Sequence, residues 1–301
     1  MKKSDIDDIL KAGKISAQVK NYAKTLVKKG MPLIDIANKI EDKIRELGAV
    51  PGFPVNLDID EVAAHFTPRH DDNQIAHGLM KVDIGVSVNG WVADSAVSLD
   101  LENSEENKKL IQVAQESIDK VESLLTKDSK PGTIETGQVG KLVQETAESY
   151  GFTPIANLCG HQIEQYELHA GINVPSIANG STNLLDQGYY AIEPFITTGL
   201  GKVKDGPPSN IYSLTSDRNV RNPTAREVLQ YIIEEYKTLP FTSRWLVKKF
   251  GNKALLAIRQ LEANGNLHSY PQLIEISGKK VAQREQNFLV LKDKVIMTTK
   301  E

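Results

Sequence analysis

The sequence has a single cysteine and no long apolar segment, and each absence excludes a class of protein. Cys159 is the only cysteine among the 301 residues, so no disulfide can form within the chain, and such usage is typical of a reducing compartment. No segment approaches the roughly 20 consecutive apolar residues of a transmembrane helix. The charged N-terminal segment lacks the apolar run of a signal peptide. We therefore expect a cytoplasmic protein that does not interact with membranes.

The sequence also lacks an excess of charge and several widespread catalytic motifs. Its net charge of −3, with 25% charged and 40% hydrophobic residues, argues against a protein that mainly binds nucleic acid or anionic lipid. HExxH, paired CxxC, Walker and GxSxG motifs are absent, which leaves the zinc-protease, zinc-ribbon, nucleotide-binding and serine-hydrolase classes that they define without support. Cys159 has no activating neighbour in the sequence, so we expect a small buried residue rather than a nucleophile.

What the sequence does have is a clear β-hairpin at residues 81–94. Apolar residues alternate there with polar or small ones, which is the period of a half-buried strand. Asn89-Gly90 predicts a two-residue turn, because both residues tolerate the positive φ of a tight hairpin. The resulting register places Asp83 diagonally across from Asp94 on one face, about 7–8 Å away between backbones. Aspartate is depleted in strands, so the pair indicates either a solvated face or a cation site, and the hairpin alone favours the solvated face.

The remaining pattern predicts an α+β protein in which residues 1–197 form two similar halves. Apolar residues at helical spacing predict four helices, and turn residues separate the short strands that follow each pair of helices. The order helix–helix–strands occurs twice, over 1–100 and 104–197. The predicted helices cover 4–29, 33–47, 104–125 and 134–150, and the later strands cover 155–164, 168–174, 189–197 and 281–299.

A helical region interrupts the strands between residues 222 and 267. Asn222-Pro223 is a favourable helix start, with Asn as the N-cap and Pro at the first helical position, and Pro240 ends that helix. Two shorter helices follow, in a segment (241–270) that carries five Lys or Arg residues against one Glu, which raises a winged-helix or helix-turn-helix interpretation. We favour a structural interpretation, because apolar core residues account for the pattern, and we expect no specific nucleic-acid binding.

Six polar residues in apolar or glycine-rich surroundings remain as candidates for chemistry. Taken singly, a histidine in a strand is usually a hydrogen-bonded structural residue, and a glutamate in a strand usually faces water. Together, two Asp, two Glu and one His offer mostly hard oxygen ligands, which suit Mn, Co, Fe or Zn, and carboxylates can bridge two ions about 3.5–4 Å apart. The candidates are Asp83, Asp94, His161, His169, Glu193 and Glu285.

Six short segments spread along the chain form a distinctive set, namely 63–68 (AAHFTP), 81–85 (KVDIG), 92–96 (VADSA), 160–171 (beginning GHQI and ending HAG), 191–195 (AIEPF) and 282–285 (AQRE). They closely resemble the motifs of the type 2 methionine aminopeptidases, including the spacing of 11 between the two aspartates and of 8 between the two histidines. The resemblance implies the α+β pita-bread fold with pseudo-two-fold halves, in a single catalytic domain over 1–301. It also implies a winged-helix-like helical insertion subdomain at 209–274.

The resemblance further implies a site for two divalent metal ions, of Co, Mn, Fe, Zn or Ni. Asp94 and Glu285 would bridge the two ions. Asp83 would bind one ion, and His161 and Glu193 would bind the other. The physiological metal stays open, because oxygen-and-imidazole sites accept several first-row ions.

For the reaction, the resemblance implies that a water bridging the ions attacks the carbonyl that follows an N-terminal Met. Glu193 would move the proton, and His65 and His169 would contact the scissile amide and stabilise the tetrahedral intermediate. Met would fill an apolar pocket, and the second residue would have to be small. The expected partners are nascent chains that start with Met and, transiently, the ribosome; the expected oligomeric state is a monomer.

Three positions depart from the family pattern. Arg284 and Gln286 flank Glu285 where relatives often have an aromatic or aliphatic residue and a His, and Cys159 stands where Asn is common. The first two departures affect how the surroundings of Glu285 tune the metal preference. The chain also lacks the Lys- and acid-rich N-terminal extension of eukaryotic members, so it resembles the compact archaeal form.

Two other functions stay open. A non-catalytic pita-bread protein that binds RNA or protein would have lost metal ligands, whereas this chain keeps all five expected ones. A proline-specific dipeptidase of the same fold would normally carry a large N-terminal domain, which the sequence does not show. Metal content separates the first alternative, and a comparison of Met-Ala with Ala-Pro substrates separates the second.

Overall fold

The computed structural model describes residues 1–127 and 130–301 as seven helices and sixteen strands, which form four antiparallel sheets. None of these helices is both long and apolar enough to cross a membrane. The helices are α1 (Lys3–Leu26), α2 (Leu33–Glu46), α3 (Glu105–Thr126), α4 (Thr136–Ser149), α5 (Pro223–Glu235), α6 (Ser243–Phe250) and α7 (Lys253–Ala263). The strands are β1 (Val50–Pro51), β2 (Asn56–Ile59), β3 (Val62–Ala64), β4 (Leu79–Val88), β5 (Trp91–Asp100), β6 (Thr153–Pro154), β7 (Cys159–Glu164), β8 (Glu167–Pro175), β9 (Gly188–Ile192), β10 (Phe195–Thr197), β11 (Val203–Leu214), β12 (Phe241–Thr242), β13 (Leu267–Glu275), β14 (Val281–Gln283), β15 (Gln286–Val290) and β16 (Val295–Met297).

The first half of the molecule packs α1 and α2 against the sheet that contains β4 and β5. Apolar residues at helical spacing, such as Val19 and Ile40, are fully buried in one cluster with alternate residues of β4, such as Val82 and Ile84. This burial confirms the two predicted amphipathic helices. Alternate residues of β4 therefore form part of the apolar core of the first half.

The hairpin between β4 and β5 has the predicted register. Asn89 and Gly90 adopt φ values of +51° and +87°, as a turn with two left-handed residues requires. Gly85 lies opposite Asp94, and Asp83 therefore lies one pair further along on the same face. The short-range turn signal was sufficient to place both aspartates.

The second half repeats this arrangement with α3 and α4 against the sheet ordered β16-β15-β9-β7-β8. Ser104 caps α3 as predicted, because its hydroxyl accepts a hydrogen bond from the backbone N–H of Asn107. Such a cap satisfies one of the free N–H groups at a helix start. Each half thus consists of two helices on an antiparallel sheet, so the predicted α+β pita-bread fold with two related halves is confirmed.

Two of the predicted strands are interrupted, and each interruption carries a candidate ligand. The strand predicted over 189–197 divides into β9 and β10 around Glu193 and Pro194, because proline has no N–H to continue a ladder. The strand predicted over 281–299 divides into β14, β15 and β16, with Glu285 between the first two. The N–H of Glu285 instead donates to the carbonyl of Ala96 in β5 at 3.1 Å. Both glutamates therefore stand where the chain leaves one ladder for another.

The helical region forms a small unit of its own between β11 and β13, which pair with each other. Helices α5, α6 and α7 share a separate apolar core. Asn222 caps α5, as predicted, by accepting a hydrogen bond from the N–H of Ala225 at 3.0 Å. The limits predicted for the insertion, 209–274, fall inside β11 and β13, so the unit is joined to the rest of the fold through two paired strands.

Candidate metal centre

Five polar side chains from different parts of the fold converge in the middle of the molecule. Asp83 and Asp94 come from the hairpin β4–β5, and His161 comes from β7. Glu193 and Glu285 come from the two interrupted strands. Asp94, His161 and Glu285 are buried, whereas Asp83 and Glu193 are half-buried and line a cavity of about 210 Å³. The structure therefore brings together all five predicted ligands, although the predicted role of each is a separate question.

The distances within this group suit a metal centre. Asp94, His161 and Glu285 each offer one ligand atom, and these atoms lie within 4.8 Å of one another. His161 Nε2 lies 3.5 Å from Asp94 Oδ2 and 3.7 Å from Glu193 Oε1. Buried oxygens of Asp83, Asp94 and Glu285 have no hydrogen-bond partner. Buried polar atoms are normally paired, so these carboxylate oxygens are available as ligands for a metal ion.

The electrostatics of the group indicate that a cation belongs there. Burial raises the pKa of Asp94 to about 7, and burial together with repulsion from Asp94 raises the pKa values of Asp83, Glu193 and Glu285 well above their usual range. Burial lowers the pKa of His161 to about 4, so its imidazole is neutral at pH 7. Within residues 1–127 and 130–301, no Lys or Arg forms an ion pair with these four carboxylates. The residues present fit a divalent cation, which would keep the carboxylates ionised.

His65 and His169 stand beside this group on the cavity wall. The rings of His161 and His169 have centroids 4.3 Å apart, and His65 Nδ1 lies 3.3 Å from the carbonyl of Pro271. Burial, with the other histidines nearby, lowers the pKa of His65 to about 4 and that of His169 to about 3. His65 also has a φ of +69°, a left-handed conformation that is uncommon for a residue with a Cβ and is concentrated at functional sites.

The rest of the cavity wall is mainly apolar. This combination of an apolar wall with a few convergent polar groups is typical of a small-molecule or peptide-end site. Cys159 also lines the wall, half-buried rather than buried as the sequence predicts. Burial raises the pKa of its thiol, so it is not an activated nucleophile, which agrees with the prediction. The apolar residues are Phe53, Ala64, Leu158, Leu168, Phe195, Ile211, Pro240 and Leu273.

Sequence reasoning missed several polar residues that support this group. Gln283 Nε2 lies 3.5 Å from both Glu193 Oε2 and Glu285 Oε2. Asn287 Oδ1 accepts hydrogen bonds from the backbone N–H of Asp94 at 2.6 Å and from the Tyr189 hydroxyl at 3.0 Å. Gln283 lies in the AQRE segment and two residues from Glu285, but its contact with Glu193 and both contacts of Asn287 join residues that are 90 or more positions apart, so local patterns did not reveal their roles.

The comparisons with known proteins agree with this geometry. The sequence model of metallopeptidase family M24 matches residues 7–217. The chain belongs to metallopeptidase family M24. A methionine aminopeptidase from Pyrococcus abyssi is 42% identical over 98% of the chain and 99% of its own length, so within family M24 the chain belongs with the methionine aminopeptidases.

Solved structures show the same fold. A thermophilic Arx1 superposes with a TM-score of 0.85 at 14% identity and covers 100% of this chain, with 92% of its own chain matched. The methionine aminopeptidase of Thermotoga maritima superposes with a TM-score of 0.70 at 21% identity, over 100% of this chain and 98% of its own. Membership of family M24 makes the protein a metal-dependent hydrolase, and the buried group of Asp94, His161 and Glu285 is the place where the structure can hold a metal ion.

Proposed function

We propose that the protein is a metal-dependent methionine aminopeptidase of type 2, which hydrolyses the peptide bond after an N-terminal Met when the second residue is small. One observation carries this proposal. Four buried or half-buried carboxylates and a neutral imidazole converge beside one mainly apolar cavity, and no Lys or Arg of the described residues pairs with the carboxylates, in a chain related over its length to methionine aminopeptidases.

In this proposal, the five converging residues would hold two divalent ions. Asp94 and Glu285 would be ligands of both ions, Asp83 of one ion, and His161 and Glu193 of the other. The unpartnered oxygens of Asp83, Asp94 and Glu285 support this assignment. Bound divalent ions of this kind polarise a carbonyl and lower the pKa of an attacking water. The proposal includes that two ions bind and that they are Co, Mn, Fe, Zn or Ni.

Glu193 serves as the proton carrier. Its carboxylate is half-buried on the cavity wall, 3.7 Å from His161 Nε2. Burial, with the charges of Asp94 and Asp83, raises the pKa of Glu193 well above its usual range, which makes its carboxylate a stronger base. A carboxylate in that position accepts a proton from the attacking water and returns it to the leaving amine, a role that typically contributes about 10²–10⁴-fold in rate.

His65 and His169 hold the scissile amide. Both imidazoles are neutral at pH 7 and line the cavity. His169 can donate its one N–H to the carbonyl oxygen, whereas the N–H of His65 is used by the Pro271 carbonyl at 3.3 Å, so His65 would contact the amide N–H through its unprotonated Nε2. An N–H directed at the carbonyl oxygen stabilises the negative charge that develops on it in the tetrahedral intermediate. The mainly apolar cavity of about 210 Å³ suits an unbranched apolar side chain such as that of Met, and the requirement for a small second residue is what the resemblance to the family implies.

The remaining expectations belong to the same proposal. Residues 209–274 are the helical insertion subdomain that distinguishes type 2 from type 1, within one catalytic domain over 1–301. The substrates are nascent chains that begin with Met, the ribosome is a transient partner, and the protein works as a cytoplasmic monomer. The separate apolar core of α5–α7 supports the subdomain assignment.

The test is hydrolysis of a Met-Ala-Ser peptide by metal-free protein to which Mn or Co is added. We expect release of Met by the wild-type protein and none above background by Asp94→Ala. Equal turnover by Asp94→Ala would refute the proposal. An Ala-Pro dipeptide in the same assay addresses the proline-specific alternative, and preferential hydrolysis of that dipeptide would support it. Failure of the reconstituted protein to bind either ion would support the non-catalytic alternative.

A further inference from the structure

The side of residues 284–287 that faces away from the cavity is held by a buried cluster. Gln283 Nε2 lies 3.5 Å from Glu285 Oε2, beside the candidate ligands, whereas Gln286 contacts Lys20 and Thr299. Gln286 Oε1 accepts hydrogen bonds from Lys20 Nζ at 2.9 Å and from the Thr299 hydroxyl at 2.5 Å.

Lys20 is the centre of this cluster, which we call the Lys20 cluster (Lys20, Gln286, Thr299 and Glu301). Lys20 lies on α1 and is fully buried. Its ammonium group donates to Gln286 Oε1 and to the Thr299 carbonyl at 2.9 Å each, and it pairs with Glu301 Oε1 at 3.0 Å. An ammonium has three N–H donors, so three acceptors match its full capacity.

A buried lysine in this position needs an explanation. Taking an ammonium out of water is costly even when it is paired, and burial lowers the pKa of Lys20 to about 7. Neighbouring buried positions of α1, such as Val19 and Ala23, pack apolar side chains into the same core. An apolar side chain at position 20 would therefore avoid the cost of burying an ammonium, but would leave Gln286 Oε1 with the Thr299 hydroxyl as its one remaining donor among the described residues.

The same cluster extends to a second candidate ligand. The Thr299 hydroxyl accepts a hydrogen bond from the backbone N–H of Asn287 at 2.9 Å. Asn287 in turn accepts the N–H of Asp94 through its side-chain oxygen at 2.6 Å. The Lys20 cluster thus fixes the backbone on which Glu285 stands and the amide that orients Asp94.

We propose that Lys20 is a positioning residue for the metal centre, which acts through Gln286 to hold the carboxylate of Glu285 in the orientation that binds the ion. This inference rests on the proposed function, in which Glu285 is a metal ligand. It also gives a role to Gln286, which departs from the family pattern. Partners that orient a metal ligand typically change metal affinity by about 10–100-fold when they are removed.

The experiment measures Mn binding to metal-free protein by calorimetry for the wild type, Lys20→Met, Gln286→Met and the double variant. We expect each single substitution to weaken Mn binding by about 10-fold or more, and the double variant to bind no more weakly than the weaker single variant, because both changes break one linkage. Lys14→Met is the matched control. Lys14 is exposed on the same helix, and its substitution should leave Mn affinity unchanged.

A purely structural role would give a different result. It would lower the thermal stability of the metal-free protein and leave the Mn affinity of the folded protein, and its kcat, unchanged. In our proposal, kcat for the Met-Ala-Ser peptide falls and KM changes little. If Lys20→Met does not fold, Gln286→Met keeps the proposal testable, because Lys20 still pairs with Thr299 and Glu301 in that variant.

Two outcomes would overturn the inference. The first is wild-type Mn affinity in folded Lys20→Met or Gln286→Met, and the second is fully additive losses in the double variant. Neither is confused with failure of the proposed function, since that failure would appear as absent Mn binding or absent Met release in the wild-type protein itself.

Discussion

Two buried clusters that contain carboxylates differ in whether a positively charged side chain neutralises the carboxylates. The first cluster surrounds Glu41, where Arg244 Nη1 and Nη2 donate to the two carboxylate oxygens at 2.7 and 2.8 Å, and Trp245 Nε1 donates at 2.7 Å. The second is the candidate metal centre, where Asp94 and Glu285 are equally buried but no Lys or Arg of the described residues pairs with them. Arg244 neutralises the carboxylate of Glu41, whereas no described Lys or Arg neutralises the carboxylates of the candidate metal centre.

This difference separates a structural ion pair from a site. The Glu41 cluster joins α2 of the first half to α6 of the helical region, so its charges are used within the fold. A group of carboxylates that are buried together without a partner would be destabilising unless they bind a cation or take up protons. Buried carboxylates that no described side chain neutralises therefore point to function, whereas burial alone does not.

The largest effect in this comparison is expected for Arg244→Met. This change leaves the Glu41 carboxylate buried without its ion pair and should lower the free energy of unfolding by about 3–5 kcal/mol. Arg244 does not line the metal-centre cavity, so Met release per folded molecule should be unchanged. Urea denaturation and the peptide assay measure the two quantities. Asp94→Asn is the converse control, because it should abolish Met release without destabilising the metal-free protein. If Arg244→Met lowers the free energy of unfolding by less than about 1 kcal/mol, the ion pair does not stabilise the fold as argued.

Metal removal should have the next largest effect, and its size should depend on pH. The pKa of Asp94 is raised by burial to about 7, so its contribution to the stability of the metal-free protein is fully present below about pH 4 and is lost as the pH rises through about 7. A fixed Mn concentration, set at 100 times the Kd measured at about pH 7.5, should add about 2.7 kcal/mol at that pH and less at lower pH, where protons compete for the carboxylates. Thermal denaturation of chelated and Mn-loaded protein at about pH 5 and about pH 7.5 should show the larger Mn effect at the higher pH.

The Asn variant of Asp94 provides the control for that pH dependence. Asp94→Asn removes one titrating group, so the metal-free variant should lose less stability than the wild type between the two pH values. An identical pH dependence of stability in both proteins would show that Asp94 does not titrate in this range. That result would contradict the interpretation that Asp94 is buried without a neutralising partner.

The smallest effect is expected for Trp245→Phe. This change removes one donor to the Glu41 carboxylate and leaves both donors of Arg244 in place. A hydrogen bond to a charged group is worth about 1.5 kcal/mol at the lower end of the usual range, and denaturant midpoints can resolve that difference. A loss as large as that of Arg244→Met would mean that Trp245 stabilises the cluster mainly through packing of its ring.

Local patterns were sufficient for the features whose causes are local. The hairpin turn at Asn89-Gly90 and the caps at Ser104 and Asn222 all depend on residues within three or four positions of one another. Each was predicted correctly because the chemistry of the turn or cap is contained in the segment itself. The interruption of the strand at Pro194 was also foreseeable from the missing N–H of proline, but the prediction joined the two parts.

The site required information that local patterns do not contain. From the hairpin alone, Asp83 and Asp94 were better explained by a solvated face. Polar residues in apolar or glycine-rich surroundings added His161, Glu193 and Glu285 as candidates, and the resemblance to a family assigned each of them a role. The roles of Gln283 and Asn287 were missed because they depend on contacts with Glu193 and Asp94, which are distant in sequence. Lys20 did leave a signal, since it interrupts the apolar stripe of α1 on its buried side, but a charged residue in such a stripe does not identify its partner.

The distance in sequence between Asp83 and Glu285, more than 200 residues, determines when a newly made molecule can become active. A chain whose synthesis has reached only the helical region has both aspartates but lacks Glu285 and the Lys20 cluster that holds it. No product of translation that ends before Glu285 therefore has all five candidate ligands. Peptidase activity should appear in a single step, when the strand after Glu285 joins the sheet.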